Sequence, residues 1–221
     1  NYIGRLGDLE KNLQLKMKRL KTRNLDDSLK RMLDGASISG AIWRCHEIAT
    51  LSGLTLKRPV LDLGCGDGRF TKIMFAKKLD FGLDKSATEI EKAKQKGTHL
   101  NYIVADAHNI PLPSHSMETV FSNSVVEHIP NLGLVLQEIS RILKPGGEFI
   151  FTTHAPSSRK FWGAMFLKKA GLAPIARLYE KIFLEQLQLR TLWSYKRWSA
   201  ELKSAGLQIE EFKTTTPPVS A

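Results

Sequence analysis

The stretch Pro59 to Phe70, PVLDLGCGDGRF, gathers the residues of this chain best suited to hold a small polar ligand. Val60, Leu61 and Leu63 form a short apolar run between Pro59 and a cluster of glycines. Asp62 interrupts that run with a carboxylate, which a buried strand does not normally take. Gly64, Gly66 and Gly68 then alternate with Cys65 and Asp67, and a helical pattern starts near Arg69. Strand, glycine loop and helix in this order is how an α/β sheet builds a nucleotide site. The missing side chains let backbone N–H groups approach a ligand, and the helix start adds partial positive charge. Asp62 and Asp67 would repel a pyrophosphate. They suit a ligand that carries cationic groups and hydroxyls.

The spacing narrows the chemistry. A dinucleotide fingerprint reads G-x-G-x-x-G. Here the pattern is G-x-G-x-G, and Arg69 stands where the third glycine would fall. A second apolar run, Leu79 to Asp84, ends in an acid at the distance expected of a bidentate acceptor for ribose hydroxyls.

With three further blocks, FGLDKS, ADAHNIPLPSHSMETVFSNSVVEHIPN and LKPGGEFIFTTH, the chain resembles the class I S-adenosylmethionine-dependent methyltransferases, in particular their small-molecule branch. The resemblance covers about residues 58–154. It implies S-adenosyl-L-methionine as cofactor and S-adenosyl-L-homocysteine as product. It also implies that Asp62, Gly64, Cys65 and Gly66 line the methionine and ribose part and that Asp84 takes the ribose hydroxyls. Lys85 and Ser86 follow near the adenosine. Asp106 would accept from the adenine amino group and the Ala107 N–H would read the ring, with Leu83 and Ile110 against its faces. Asn123 would lie near the methionine moiety. On the acceptor side, Glu127 and His128 would face the transferred methyl, and His154 ends the fifth strand of the core. His128 and His154 are the candidate proton acceptors, since an imidazole titrates near neutrality; His128 bracing the loop before Pro130 is the alternative. No N-P-P-Y-type run follows the fourth strand, which argues against that route to amide or exocyclic amino nitrogens. No Cys/His cluster has metal-ligand spacing, so no metal is expected.

These residues need a scaffold. The chain has 221 residues with 42% hydrophobic content, enough for one α/β domain with a substantial core. Strands at 58–63, 79–84, 100–105, 117–123 and 147–153 alternate with helices at 68–77, 86–96 and 131–143. That alternation implies right-handed crossovers and a mostly parallel, doubly wound, Rossmann-like sheet. Residues 207–214 read as a further strand, for a sheet of six or seven. Ahead of the core, helices are expected over 5–21, from a cap at Asn24 or Asp26 to Gly35, and over 38–51. Trp43 and Arg44 on the third are candidates for the methionine end of the cofactor, or core and surface respectively.

The layout is thus an N-terminal helical cap (1–57), a cofactor-binding core (58–154), a helical insertion (155–194), and a last helix and strand (195–221), read as one domain. The insertion mixes aromatic and aliphatic residues with lysines. Two readings compete for it: a lid over the acceptor pocket, or a face for a partner or membrane surface. The net charge of +11 is unevenly placed. Residues 1–60 and 155–221 each carry +6 and residues 61–154 carry −1. Basic flanks around a neutral core point to an anionic partner. The acceptor is therefore read as small or lipid-like, amphipathic and anionic in part. An RNA methyltransferase, a cofactor-binding scaffold without catalysis, and a nicotinamide oxidoreductase are the rivals, the last disfavoured by Arg69 and the acidic loop. Only Cys45 and Cys65 are present, and no run reaches the roughly 18 apolar residues of a membrane span. A cytoplasmic location is expected, with peripheral membrane contact left open.

Overall fold

A short apolar strand with a carboxylate in it can be buried only if the sheet covers both faces and supplies a partner for the charge. The computed structural model of the chain describes residues 19–33, 38–154, 156, 168, 170–178 and 190–213. Its core is a five-stranded parallel sheet in the order β5-β4-β3-β6-β7. The strands are β3 (Val60–Leu63), β4 (Leu79–Asp84), β5 (His99–Val104), β6 (Met117–Asn123) and β7 (Leu143–Thr152). The chain runs outward from β3 to β4 and β5, then crosses to β6 and β7 on the other side. The order therefore reverses between β3 and β6, and a ligand crevice opens there beyond the carboxyl ends of the strands.

Helices cover both faces. On one lie α1 (Leu25–Leu33), α2 (Ile38–Leu51) and α3 (Arg69–Met74), whose Met32, Ile48, Leu51, Ile73 and Met74 pack with Val60 and Phe121. On the other, α5 (Leu132–Ile142) and α6 (Tyr195–Ser204) pack Val135, Leu136, Ile139, Trp198 and Leu202 against Leu61, Leu63 and Val120. Between β4 and β5 runs α4 (Ala87–Lys96), which starts on a Ser86 cap accepting the Glu89 N–H. Asn24 caps α1 through Asp27 N–H to Oδ1 at 2.8 Å.

Two expectations change. Leu20 and Lys21 are not helical: they form β1, antiparallel to β2 (Thr55–Leu56). Leu20 is buried there, so its apolar periodicity reflected burial and not a helix. The rest of the expected first helix, residues 5–18, lies outside the described residues. The expected strand from Leu207 is absent over 207–213, so the sheet has five strands among the described residues instead of six or seven. Leu207 and Ile209 do pack on the core while Gln208 and Glu210 face water. Alternation records one-sided burial, and no neighbouring strand supplies the hydrogen bonds. The insertion is described only at 156, 168, 170–178 and 190–194, with a helical stretch at 173–178. The expectation of a helical lid otherwise lies outside the described residues.

One half-buried ion pair fixes the starts of β3 and β4. Arg58 Nε lies 3.0 and 2.9 Å from the two oxygens of Asp80, and the Val60 N–H donates to Asp80 Oδ2 at 2.8 Å. Asp80→Ala leaves a guanidinium and a backbone N–H without their acceptor. It is expected to cost about 3 kcal/mol, the lower end for breaking such a pair. Urea unfolding at unchanged m-value measures this, and a loss under about 1 kcal/mol would contradict it.

Candidate cofactor and acceptor site

Asp62 faces the α3 side of the sheet and is 3% exposed. Its Oδ2 accepts from Thr71 Oγ1 at 2.5 Å and lies 2.9 Å from His99 Nε2. His99 Nδ1 is in turn 2.9 Å from Thr98 Oγ1. The carboxylate that the sequence places at the ligand loop is therefore occupied by an interior network joining β3, α3 and β5. His99 was not singled out in the sequence, although one signal marks it. A glycine inside a strand implies close approach, and a Cβ on Gly82 of β4 would sit 2.7 Å from the His99 ring.

The loop is shaped by contact as much as by conformation. A Cβ on Gly64 would fall 2.4 Å from the Val125 side chain, at a φ of +74° that disfavours any other residue. The loop N–H groups are already taken. Gly64 and Cys65 donate to Leu83 O at 2.7 and 3.0 Å, and Gly66 donates to Asp84 Oδ2 at 3.0 Å. At Gly66 a side chain would meet nothing within 4 Å, so the loop presents cleared space above this backbone. Cys65 is buried, and burial, then Asp62 and Asp84, push its thiol far above the ordinary range. It is therefore a poor nucleophile. Cys45 and Cys65 are both free thiols.

Asp84, at the tip of β4, is half-buried and held by two backbone donors, Ser86 N–H on Oδ1 at 2.9 Å and Gly66 N–H on Oδ2. Each oxygen keeps a second lone pair for a ligand hydroxyl. Lys85 beside it is exposed. Asp106 is exposed beyond β5, with Ala107 partly packed on the core. Its Oδ1 accepts the His108 N–H at 2.9 Å and lies 2.5 Å from His108 Nδ1. His108 Nε2 is 2.9 Å from Pro130 O. This clasp ties the loop after β5 to the loop after β6, and nothing in the sequence pattern announced it. Leu83 and Ile110 are built into the core and do not stand at its surface.

A second polar group forms at the ends of β6 and β7. Asn123 Oδ1 accepts from Thr152 Oγ1 at 2.8 Å, while Asn123 Nδ2 is buried without a hydrogen-bond partner. Ser124, in the left-handed region, donates from its hydroxyl to the buried Glu47 of α2, and Arg44 pairs with Glu47 at 2.7 Å. Arg44 also lies over the Phe70 ring. Arg44 is thus held between Glu47 and Phe70; the side chain of Trp43 lies outside the described ones. Glu127, on a 3-10 turn at Val126–His128, is fully buried. Its Oε1 is 2.8 Å from His154 Nδ1, and its Oε2 has no partner. His128 stands on the exposed side of the same turn.

Cleared space over a glycine loop, a fixed carboxylate at the next strand tip and an orphaned amide at the switch point fit a ligand with ribose hydroxyls and further polar atoms. Residues 61–151 match the family model for a methyltransferase domain. A malonyl-[acyl-carrier protein] O-methyltransferase of Yersinia pestis is 37% identical over 101 residues, 45% of this chain and 38% of that protein. Its counterpart from Pseudescherichia vulneris is 30% identical over 156 residues, 68% and 60% of the two chains. The chain thus spans 38% and 60% of the length of these two curated relatives. The structure of an S-adenosylmethionine-dependent methyltransferase of Thermotoga maritima superposes with a TM-score of 0.53 over 82% of this chain and 72% of that one, at 19% identity, a likeness of fold. The core of this chain is a class I S-adenosylmethionine-dependent methyltransferase domain.

Two predictions follow from the network and the clasp. Thr71→Val removes one of the two donors to a buried carboxylate and is expected to cost about 1–3 kcal/mol. Thr71→Ser should restore most of it, and equal unfolding midpoints for Val and wild type would refute the assignment. In the clasp, hydrogen bonding to Asp106 raises the His108 pKa above its ordinary value, and hydrogen bonds from the His108 backbone and ring lower that of Asp106. The raised histidine contributes fully below about pH 6.5 and loses its contribution as pH rises through the folded value. The lowered carboxylate contributes above about pH 3.9 and loses its contribution as pH falls. The clasp is therefore strongest between those limits. An NMR titration should place the His108 midpoint above about 6.5, and Asp106→Asn should bring it back down.

Proposed function

We propose that the chain catalyses S-adenosylmethionine-dependent methyl transfer to a small or acyl-type amphipathic acceptor. The observation that carries this reading is the fixed Asp84 carboxylate beside the cleared Gly66 backbone at the β3–β6 switch. In this reading Asp84 holds the ribose hydroxyls, and Asp106 with the Ala107 N–H reads the adenine. Gly64, Cys65, Gly66 and Asn123 line the methionine part, with Lys85 beside the adenosine. Asp62 acts from below, by holding the loop through Thr71 and His99. When bound, the cofactor supplies an electrophilic methyl group on a cationic sulfur. The protein's share is alignment, which can supply about 7–11 kcal/mol of the barrier.

The acceptor class rests on two supports. The curated relatives are named for a malonyl group on an acyl carrier protein, and they are 37% and 30% identical to this chain over 101 and 156 residues. The basic flanks add a preference for an anionic partner. RNA is the competing acceptor on the charge alone, and no RNA-binding module is recognisable among the described residues. Among the described residues, no helix is long and apolar enough to cross a membrane.

Calorimetry with S-adenosylhomocysteine tests the cofactor assignment. Wild type should bind, and Asp84→Ala should weaken affinity at least tenfold while leaving the unfolding midpoint nearly unchanged, because charged hydrogen bonds worth about 1.5–3 kcal/mol each are lost. An unchanged dissociation constant would remove Asp84 from the site. Methyl release onto an acyl thioester but not onto RNA would support the acceptor class, and the reverse would overturn it.

A further inference from the structure

Both ring nitrogens of His108 face oxygens that only accept. Nδ1 lies 2.5 Å from Asp106 Oδ1, and Nε2 lies 2.9 Å from the Pro130 carbonyl oxygen. A neutral imidazole carries one N–H and one lone pair, so it satisfies one of these oxygens and turns a lone pair on the other. A ring protonated at both nitrogens satisfies both. The clasp is thus built for a cationic histidine. The same bonds decide what Asp106 can offer. Its Oδ1 takes the His108 backbone N–H as well as the ring, while its Oδ2 accepts nothing among the described residues. The Asp106 side chain stays 62% exposed although one oxygen is engaged twice. The Ala105 N–H donates to the Asp84 carbonyl at 3.1 Å, so the loop that carries Asp106 leaves the sheet beside Asp84.

We infer that His108 is a positioning residue for cofactor specificity: as a cation it anchors Asp106 Oδ1 to the loop after β6 and leaves Oδ2 to accept the exocyclic amino group of adenine. This rests on the assignment of Asp106 to the adenine under Proposed function. An exposed carboxylate on a loop otherwise samples several orientations, and holding it beforehand removes an ordering cost that binding would bear. A fixed, acceptor-only carboxylate also discriminates. Adenine presents an amino donor to it, whereas hypoxanthine presents an oxygen and leaves two acceptors facing each other. Loss of one ring proton breaks one of the two bonds that His108 makes. The charged groups at the clasp are Asp106 itself and Lys85 beyond β4, whose charge also acts on Asp106. From the loop after β6 the contact is the Pro130 carbonyl, which does not titrate. The titratable groups of the preceding turn are Glu127, paired with His154, and His128. As pH rises and His108 loses its charge, Asp106 is loosened and the preference for an amino group declines with it.

Calorimetry on the full chain with S-adenosylhomocysteine and S-inosylhomocysteine tests this. The second ligand carries an oxygen where the first carries the purine amino group. Wild type should prefer the first. His108→Gln should weaken S-adenosylhomocysteine about threefold to tenfold, the loss of one hydrogen bond, and S-inosylhomocysteine by a smaller factor, so that the preference shrinks. The wild-type preference should also shrink as pH rises through the His108 midpoint found by NMR, and in His108→Gln it should not vary there. The amino acid part is common to both ligands, so its own titration cancels in the ratio. Equal weakening of both ligands by His108→Gln makes His108 a structural brace and overturns the inference. So does a preference that the variant leaves intact, or a wild-type preference that is constant across the midpoint. If His108→Gln does not fold, the wild-type pH dependence decides. A wild type that binds both ligands equally removes Asp106 from the adenine, and this inference with it, while leaving the methyltransferase reading in place. A chain that binds neither fails the broader reading as well.

Discussion

A single buried carboxylate governs how this sheet can be assembled. Asp62 lies in the central strand with apolar neighbours on both sides, and an ionised group there costs several kcal/mol unless it is paired. Its partners come from two other elements, Thr71 on α3 and His99 on β5. The helix after the glycine loop and the outer strand are thereby tied to the strand before the loop. The loop itself is closed by Gly64 and Cys65 donating to the last apolar residue of β4, Leu83. The crevice inherits its geometry from these bonds. They also explain why the loop can be rigid without a ligand: its donors are already spent on the protein, and what it offers outward is room and the oxygens of Asp84.

Much of this was legible in the sequence, for identifiable reasons. Strands β4 and β6 fall where their apolar runs and turn residues put them, and α2 occupies the expected Ile38–Leu51. Asn24 caps its helix as its side-chain chemistry requires. The position of Asp84 at a strand tip was readable because strand length and loop spacing are local. The pairs were not readable, because each joins residues far apart in the chain: Asp62 with His99, Glu127 with His154, Glu47 with Ser124. Periodicity tells which face of an element is buried, and it is silent on who stands opposite. Leu207 to Ile209 shows the same limit from the other side. Its alternation was right about burial and wrong about hydrogen bonding, and Leu20 repeats the lesson for a supposed helix.

The histidines divide along the same line. His99 and His154 are joined to buried carboxylates, His108 to an exposed one, and His128 lies on the surface of its turn. Four identical letters in the sequence thus occupy three kinds of environment, and only the fold assigns them. The clasp between Asp106, His108 and Pro130 holds the loop beyond β5, whereas the Glu127 pair lies beyond β6 and β7.

The two donors from Arg190 and Thr191 to the Glu127 carbonyl have a consequence for how this fold can diversify. The chain leaves the sheet at His154, which touches the side chain of Glu127, and it returns at residues whose amides touch the backbone of the same Glu127. Residues 155–189 are therefore an excursion with a common doorstep for exit and re-entry. Closing such an excursion costs free energy that grows only with the logarithm of its length, about 0.6 kcal/mol per doubling. Segments of quite different length and composition can be spliced in at this doorstep without moving the strands beneath it. The strands beneath and the residues between these two points can then change at separate rates.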